Sequence, residues 1–503
     1  MKLIRNTLTI MLALVMALVM GTAAIADENG SITVNNTTAG KTYEIYKIFD
    51  LTQNGTAVSY TIDSDWENFF FNGGVGSSYL LAQQPQNGEL NQLIHNGTVY
   101  YIDITDANVA AFANAAKAYA IPLTADASQE AAGTSITFSD LDLGYYLVLP
   151  VDATEIADGY SSICSLTNAA PAGTINAKGE YPTVDKEVDD PDVEVGQEVH
   201  WTVTGEVPDT TGYATFTYKL TDSMSSGLTF GDSIEATNFV VKFGDTVIID
   251  STHPVTAPNT LTFENNGYVL TMDMANYQAY KGQTITVTYT AIVNDGAVCV
   301  YTHNLVKLDY GHNPEDLEEG TPITKVVYSS KIVIDKYDAN DSGTKLAGAK
   351  FVLYKLGEDN EKLYYSYTAA SGTTPAKVEW LPEGANGEIP AGATEVVTDT
   401  NGAATFAGLE SGDYYLHETE SPVGYNLLTT DPMVTVSAPG DDGAGNEIGV
   451  SVTKEVANNS GSTLPETGGI GTTIFIVLGS VLLIGAGVML FVRRRMNSEK
   501  ESA

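Results

Sequence analysis

The chain has 503 residues, room for about three or four domains of ordinary size, and its hydrophobic content of 43% is enough for real cores. It carries 63 acidic against 24 basic residues, a formal net charge of −39, and its arginines all lie at position 5 or at 493–495. A central region that is strongly negative and lacks guanidinium groups excludes nucleic-acid binding. Two cysteines, Cys164 and Cys299, fall in different predicted domains and exclude a disulfide scaffold.

The amino terminus has the pattern of a secretory signal peptide. Lys2 and Arg5 precede an apolar run at 8–20, and small residues at 24–26 follow it. This order of basic, apolar and small residues predicts a signal peptide over residues 1–26. The mature chain is therefore expected to begin outside the membrane.

The region between the two ends predicts an all-β protein. Short runs rich in Val, Ile, Thr and Tyr alternate with clusters of Gly, Asn, Asp and Pro, a pattern typical of tandem immunoglobulin-like β-sandwich domains. One Ala-rich stretch, 106–120, predicts a helix. Breaks in composition divide the region into an N-terminal domain (27–180), a middle domain (181–328) and a C-terminal domain (329–462).

In the middle domain, three polar residues each lie on the apolar face of their own predicted strand. Side chains alternate between the faces of a strand, so Lys186 points to the same side as Val184. By the same alternation Asp222 lies on the same face as Leu220, and Asn304 lies on the same face as Val306. The pattern therefore predicts a lysine, an acid and an asparagine inside one core.

The C-terminal domain repeats this arrangement in the same chain order. Lys336 shares a face with Ile334, Glu418 with Leu416, and Asn458 with apolar residues of the final predicted strand. In both domains we expect the lysine on the first strand and the asparagine on the last.

A buried lysine and a buried acid favour their neutral forms, because desolvation disfavours charge. A neutral amine can attack the side-chain carbonyl carbon of asparagine while the protonated acid hydrogen-bonds the oxygen and shuttles protons, and ammonia leaves. We therefore predict self-catalysed isopeptide bonds, Lys186 to Asn304 assisted by Asp222 and Lys336 to Asn458 assisted by Glu418. Such bonds would prevent a pulled domain from peeling open.

The N-terminal domain departs from this pattern. Leu149 stands where the C-terminal domain has its glutamate, two residues after a Tyr-Tyr-Leu sequence. Lys47 and Asn168 both share a face with apolar neighbours, but no comparable acid accompanies them. We predict no isopeptide bond in this domain.

The carboxyl terminus combines a short motif with an apolar span. Leu464-Pro465-Glu466-Thr467-Gly468 precedes the uncharged stretch 470–492, which as a helix of about 34 Å could cross a bilayer, and three arginines follow. This order of motif, apolar span and arginines resembles the sorting signal of Gram-positive surface proteins. We therefore assign residues 463–503 to a sorting signal. The resemblance implies that a sortase cysteine attacks the carbonyl group of Thr467 and releases Gly468 onward. An ordinary single-pass membrane protein with a chance motif is the alternative.

Further motifs extend the resemblance over nearly the whole chain. The segments DKYD at 335–338, LAGAKF at 346–351 and YLHETESPVGY at 415–425 resemble a Cna-B-type pilin domain, in which Glu418 would be the E-box glutamate. The middle domain, with DK at 185–186, LTD at 220–222 and HN at 303–304, resembles the isopeptide-forming domain of major pilins, and YEIYKIFD at 43–50 resembles their N-terminal domain. The chain is thus similar to the LPXTG-anchored major, or backbone, pilins of Gram-positive bacteria.

This resemblance also indicates where subunits would join. Lys178, just before Tyr181-Pro182, corresponds to the pilin-motif lysine that closes the N-terminal domain, although the usual Tyr-Pro-Lys order is not kept. It would receive the acyl group of Thr467. The alternatives are that Lys178 is a solvated linker lysine or that Lys186, assigned above to the core, is the acceptor.

The sequence therefore predicts a structural protein of a cell-surface fimbrium, not a turnover enzyme. Its expected partners are a sortase, identical subunits, and peptidoglycan or a basal pilin, with no nucleic acid. We expect no cofactor and no metal: residues 338–343 imitate the start of a calcium loop but lack its closing glutamate. The alternative is a monomeric, wall-anchored adhesin that binds a host surface ligand.

Overall fold

A computed structural model of the protein describes residues 29–54, 57–86, 90–154, 163–167, 169–177, 179–372, 374–460 and 470–500. The described part contains three β-sandwich domains in series and a C-terminal helix. This agrees with the all-β, tandem-sandwich architecture expected from the alternating sequence pattern. The predicted signal peptide, residues 1–26, lies outside the described residues.

The N-terminal domain packs one three-stranded sheet, β11-β1-β8, near a larger sheet in the order β10-β9-β2-β3-β5-β6-β4, with β7 paired to β2. Its helix α2 begins three residues later than the predicted stretch of 106–120 and buries Phe112 in an aromatic core. The strands are β1 (Asn29–Asn35), β2 (Thr42–Asn54), β3 (Ala57–Ile62), β4 (Leu80–Leu81), β5 (Gln92–His95), β6 (Thr98–Ile102), β7 (Ala127–Glu130), β8 (Ser135–Asp142), β9 (Gly144–Pro150), β10 (Ile163–Leu166) and β11 (Ala172–Asn176). The helices are α1 (Glu67–Phe70) and α2 (Val109–Ala120), with 3-10 turns at Ser64–Trp66 and Val75–Tyr79.

The middle domain is a sandwich of two sheets. The first has the order β12-β13-β20-β16-β17 with β15 paired to β20, and the second has the order β18-β19-β14-β21-β22 with β23 paired to β21. The strands are β12 (Val184–Val188), β13 (Glu198–Glu206), β14 (Thr217–Met224), β15 (Leu228–Thr229), β16 (Val240–Phe243), β17 (Thr246–Ile249), β18 (Thr260–Glu264), β19 (Gly267–Asp273), β20 (Thr284–Val293), β21 (Thr302–Gly311), β22 (Glu318–Glu319) and β23 (Ile323–Val327), with 3-10 turns at Met274–Tyr280 and Asp295–Ala297. Alternation along β14, and along β21 as far as Leu308, buries every second side chain between the sheets.

The C-terminal domain pairs a sheet of order β25-β24-β30, with β35 on β24, against a sheet of order β28-β27-β26-β31-β32, with β29 on β26. Its first long strand, β24, and its last, β35, run parallel side by side. The strands are β24 (Ser330–Asp338), β25 (Asp341–Lys345), β26 (Lys350–Leu356), β27 (Lys362–Thr368), β28 (Lys377–Pro382), β29 (Val396–Val397), β30 (Ala403–Leu409), β31 (Gly412–Glu420), β32 (Met433–Val436), β33 (Gly440–Asp441), β34 (Glu447–Ile448) and β35 (Ser451–Asn458).

The N-terminal and middle domains meet through polar and aromatic contacts. The Lys41 amine lies 2.8 Å from a Glu318 carboxylate oxygen and 4.9 Å from the centre of the Tyr181 ring. The imidazole Nδ1 of His312 lies 2.6 Å from Oδ1 of Asp152, which is almost fully buried. These pairs cross the boundary drawn near residue 180.

The middle and C-terminal domains share a second interface. The Glu194 carboxylate accepts hydrogen bonds from Lys355 at 3.1 Å and from Trp380 Nε1 at 2.6 Å. The next residue in the chain, Val195, is 1% exposed and packs into the core of the C-terminal domain. The boundary near residue 329 is thus a packed joint.

Helix α3 (Ile470–Lys500) follows the domains. Within the described residues, it contains one segment, Ile474–Arg495, that is long and apolar enough to cross a membrane, with mean hydropathy 2.7. It covers most of the apolar span predicted at 470–492 and ends in the arginines.

Candidate self-crosslinking sites

The middle domain brings its three predicted polar residues together in the core. Lys186, Asp222 and Asn304 are 0%, 2% and 0% exposed. The Lys186 amine donates a short hydrogen bond to Oδ2 of Asp222. Lys186 projects from β12 in one sheet, whereas Asp222 and Asn304 project from the adjacent strands β14 and β21 of the other. A bond between Lys186 and Asn304 would therefore join the two sheets.

The core of this site contains a fourth polar group that the sequence analysis missed. The Tyr289 hydroxyl accepts a hydrogen bond from Lys186 Nζ at 2.8 Å and another from Asn304 Nδ2 at 3.2 Å. It donates to Oδ2 of Asp222 at 2.5 Å. The available signal was its position between Val287 and Ala291 on the inward face of β20, which places a phenol in a core.

One expectation about strand order is wrong in this domain. Asn304 lies on β21, which is followed by β22 and β23, so the asparagine is not on the last strand. The final strand β23 returns to pair with β21, and Asn304 stands opposite Lys325. The pairing of β23 depends on contacts between distant segments, which the alternation within β21 does not encode.

The C-terminal domain forms a second cluster with a different geometry. Lys336, Glu418 and Asn458 are 0%, 2% and 1% exposed. The Lys336 amine donates a short hydrogen bond to Oδ1 of Asn458 and lies 3.2 Å from Oε1 of Glu418. Asn458 Nδ2 in turn donates to both Glu418 oxygens, at 3.0 and 3.1 Å. Amine, amide and carboxyl group are therefore in mutual contact.

Backbone elements hold this second cluster in place. Asn458 Nδ2 also donates to the carbonyl oxygen of Asn426 at 2.9 Å, and the Leu428 N–H donates to Glu418 Oε2 at 2.9 Å. Gly402, at φ +73°, packs on the lysine strand, where a Cβ would lie only 2.3 Å from the Lys336 carbonyl oxygen. The loop at 426–428 and this turn were not found from the sequence, because their contacts are made by backbone atoms.

Burial shifts the proton equilibria in the direction that the chemistry needs. Desolvation lowers the pKa of Lys186 to about 8, although the neighbouring Asp222 opposes the shift. Desolvation also raises the pKa of Asp222, against the attraction of Lys186. In the C-terminal domain, burial lowers the pKa of Lys336, again opposed by Glu418. Burial thus shifts both lysines toward the neutral amine, and in the middle domain it shifts Asp222 toward the protonated acid.

Two buried oxygen atoms of the middle site support the same protonation state. Oδ1 of Asp222 and Oδ1 of Asn304 are inaccessible and have no hydrogen-bond partner among the residues that the structure describes. A charged carboxylate would leave an uncompensated acceptor in the core at considerable cost. A carboxyl proton donated to the amide oxygen would serve both atoms, and it would polarise the carbonyl group for attack.

The N-terminal domain shows a different use of its lysines. The Lys47 amine forms ion pairs with Asp50 at 2.8 Å and with Asp142 at 3.3 Å, near the surface. Leu149, in the position that corresponds to Glu418, is a buried apolar residue. Lys117 is buried, but its amine lies over the Tyr213 ring of the middle domain, at 4.7 Å.

Asn168, weighed above without a functional assignment, lies outside the described residues. So do the predicted functional residues Lys178, Leu464, Pro465, Glu466, Thr467 and Gly468. Their flanks are described. Strand β11 ends at Asn176, and Ser460, the last described residue before the motif, bridges to Tyr425. Among the described residues, no group of three or more His, Cys, Asp or Glu side chains is arranged to hold a metal ion.

Comparisons with known proteins match both the domain and the anchor. Residues 330–447 match the SpaA prealbumin-like fold domain, and residues 457–498 match the LPXTG cell wall anchor motif. The chain is 23% identical to the trypsin-resistant surface T6 protein of Streptococcus pyogenes serotype M6, over 93% of this chain and 95% of that protein.

A solved structure of a backbone pilin shows the same fold. The T6 backbone pilin of serotype M6 Streptococcus pyogenes, described as a modular three-domain structure, is 17% identical with a TM-score of 0.50, over 87% of this chain and 99% of that one. The pilus 2b backbone protein of group B streptococcus is 26% identical with a TM-score of 0.43, over 56% of this chain and 99% of that one. The matched families and the T6 relative confirm the resemblance drawn from the motifs.

Proposed function

We propose that this protein is a backbone pilin: the repeating structural subunit of a covalent pilus anchored to the wall of a Gram-positive cell. The LPXTG anchor, the prealbumin-like domain and the relationship to the T6 protein support this function. The observation that carries the mechanical part of the proposal is the pair of buried lysine, acid and asparagine clusters in two successive domains.

Each cluster forms one isopeptide bond after its domain has folded. In the C-terminal domain the Lys336 amine attacks the side-chain carbonyl carbon of Asn458. Glu418, in contact with the amine and with the amide nitrogen, carries the proton from one to the other. Ammonia leaves and the amide bond remains. The same exchange joins Lys186 to Asn304 beside Asp222.

Subunits join through a sortase. The enzyme takes the Thr467 carbonyl group as an acyl intermediate and transfers it to Lys178 of an identical subunit, and the final subunit goes to peptidoglycan or a basal pilin. Tension would then enter each subunit at Lys178 and leave at Thr467. It would pass through the middle and C-terminal domains and bypass the N-terminal domain, which explains why the crosslinking clusters lie in those two domains.

The polymer is tested by electrophoresis of wall extracts boiled in detergent, from the native host expressing the full chain. We expect a ladder of covalent multimers, and Lys178→Ala should reduce it to monomer. Lys242→Ala, which changes an exposed lysine on β16, is the matched control and should leave the ladder intact. A ladder that survives Lys178→Ala would refute this junction. Wild-type protein that runs only as wall-linked monomer would refute the polymer and favour the adhesin alternative.

A further inference from the structure

The two crosslinking clusters differ in how their acid reaches the asparagine. In the C-terminal domain, both Glu418 oxygens accept hydrogen bonds from Asn458 Nδ2, so the acid is in direct contact with the nitrogen that must leave. In the middle domain, the hydrogen bond that Asn304 Nδ2 donates goes to the Tyr289 hydroxyl at 3.2 Å.

The Tyr289 hydroxyl is also in contact with the attacking group. It lies 2.8 Å from Lys186 Nζ and 2.5 Å from Oδ2 of Asp222. One phenol thus touches the amine, the acid and the leaving nitrogen. The C-terminal cluster has an aromatic ring, Phe351, facing its lysine at 5.4 Å, and phenylalanine has no hydroxyl group.

We propose that Tyr289 is a catalytic residue of crosslinking in the middle domain, where its hydroxyl passes a proton from the attacking amine to the departing nitrogen of Asn304. This inference rests on the self-crosslinking part of the proposed function. It assigns to the phenol the transfer that Glu418 performs directly in the other domain, while Asp222 polarises the amide carbonyl group and orients the phenol.

The atoms balance without an additional reactant. The bond from Lys186 Nζ to Cγ of Asn304 forms, and the bond from that Cγ to Nδ2 breaks. Nζ gives one proton to the phenol oxygen while the phenol proton goes to Nδ2, which leaves as ammonia. Tyr289 and Asp222 are regenerated.

The surroundings of Tyr289 suit this role. The side chain is 1% exposed, so bulk water does not compete for the transfer. Burial and the adjacent Asp222 raise the pKa of Tyr289 well above its ordinary value, which keeps the phenol protonated and ready to donate.

The test is the rate of crosslinking in Tyr289→Phe, which removes the hydroxyl and keeps the ring. The full chain is labelled in a short isotopic pulse in its host, samples are quenched in acid, and the digested crosslinked peptides are quantified by mass spectrometry. General acid-base groups contribute about 100-fold or more to a rate, so we expect the Lys186–Asn304 peptide to form about 100-fold more slowly. The Lys336–Asn458 peptide of the same molecules serves as an internal clock and should be unchanged.

Tyr218→Phe is the matched control. Tyr218 lies in the same core and is 1% exposed, and its hydroxyl has no hydrogen-bond partner within the described part of the chain, so this variant should crosslink at the wild-type rate. In Tyr289→Phe a catalytic role predicts slow crosslinking that continues to completion. A wild-type rate would overturn the proposal, and so would an early plateau in which the unlinked chains are unfolded by circular dichroism. Absence of the Lys186–Asn304 peptide from wild-type protein would refute the crosslink itself.

Discussion

Replacing Glu418 by glutamine should abolish the bond in the C-terminal domain with little change in packing. Glutamine has nearly the same volume, and its oxygen can still accept the hydrogen bond from the Leu428 N–H. It has no carboxyl proton to give to the asparagine carbonyl group or to the leaving nitrogen. We therefore expect Lys336 and Asn458 of Glu418→Gln to remain unlinked.

The size of the effect follows from the loop that the bond closes. Lys336 and Asn458 are 122 positions apart. For a loop of this length, the entropy removed from the unfolded chain corresponds to about 5 kcal/mol of stability. In a domain of this size each kcal/mol shifts the melting temperature by roughly 3–5 °C, so loss of the bond should lower it by about 15–25 °C.

Differential scanning calorimetry of the full chain measures this shift, with the middle-domain transition as an internal reference. Mass spectrometry should show one retained ammonia, about 17 Da. Glu420→Gln, on the same strand but at the surface, is the control and should change neither quantity. The reasoning would be refuted by a Glu418→Gln chain with the wild-type mass, or by an unlinked chain whose C-terminal transition is unmoved.

Two further predictions concern the mechanical extension of the middle domain and the pH dependence of the His312–Asp152 contact. When the folded chain is pulled in single-molecule force spectroscopy, the linked middle domain should lengthen by at most about 100 Å, from the roughly 30 residues of the domain that lie outside its closed loop. Lys186→Ala should increase that extension to about 400 Å or more, and an unchanged trace would contradict the crosslink. The Asp152 carboxylate raises the pKa of His312, so the stability contributed by this pair is complete below the ordinary histidine pKa of about 6.5 and is lost as pH rises through the raised value. Protection from hydrogen exchange at this interface, corrected for the pH dependence of intrinsic amide exchange, should therefore fall at high pH in wild type but not in His312→Gln, and an equal fall in both would refute the assignment.

Local sequence patterns were sufficient to place the clustered lysine, acid and asparagine side chains on the inward faces of their strands. Alternation along a strand has a period of two, so the neighbours of Lys186, Asp222 and Glu418 already show which face each occupies. Beyond the end of a strand, the parity of a residue no longer indicates its face. Val300 shares the parity of Asn304, but β21 begins only at Thr302, and Val300 is 50% exposed.

The contacts between segments could not be read from the sequence in this way. Tyr289 reaches the cluster because β20 and β12 both pair with β13. This strand order within the sheet is not encoded in the alternation along β20. The Asn426 carbonyl group contacts Asn458 through a loop with no periodic pattern. Both contacts join segments that are far apart in the sequence. Alternation along a strand indicates which face a side chain occupies, but not which distant residues it will contact there.

The central claim, that two domains crosslink themselves, is tested most directly by the mass of the chain purified from a sortase-deficient host, combined with peptide mapping. The account predicts a mass lower than that of the processed sequence by two ammonias, about 34 Da, with Lys186 joined to Asn304 and Lys336 joined to Asn458. A mass equal to that of the processed sequence, with all four side chains recovered in unmodified peptides, would contradict it.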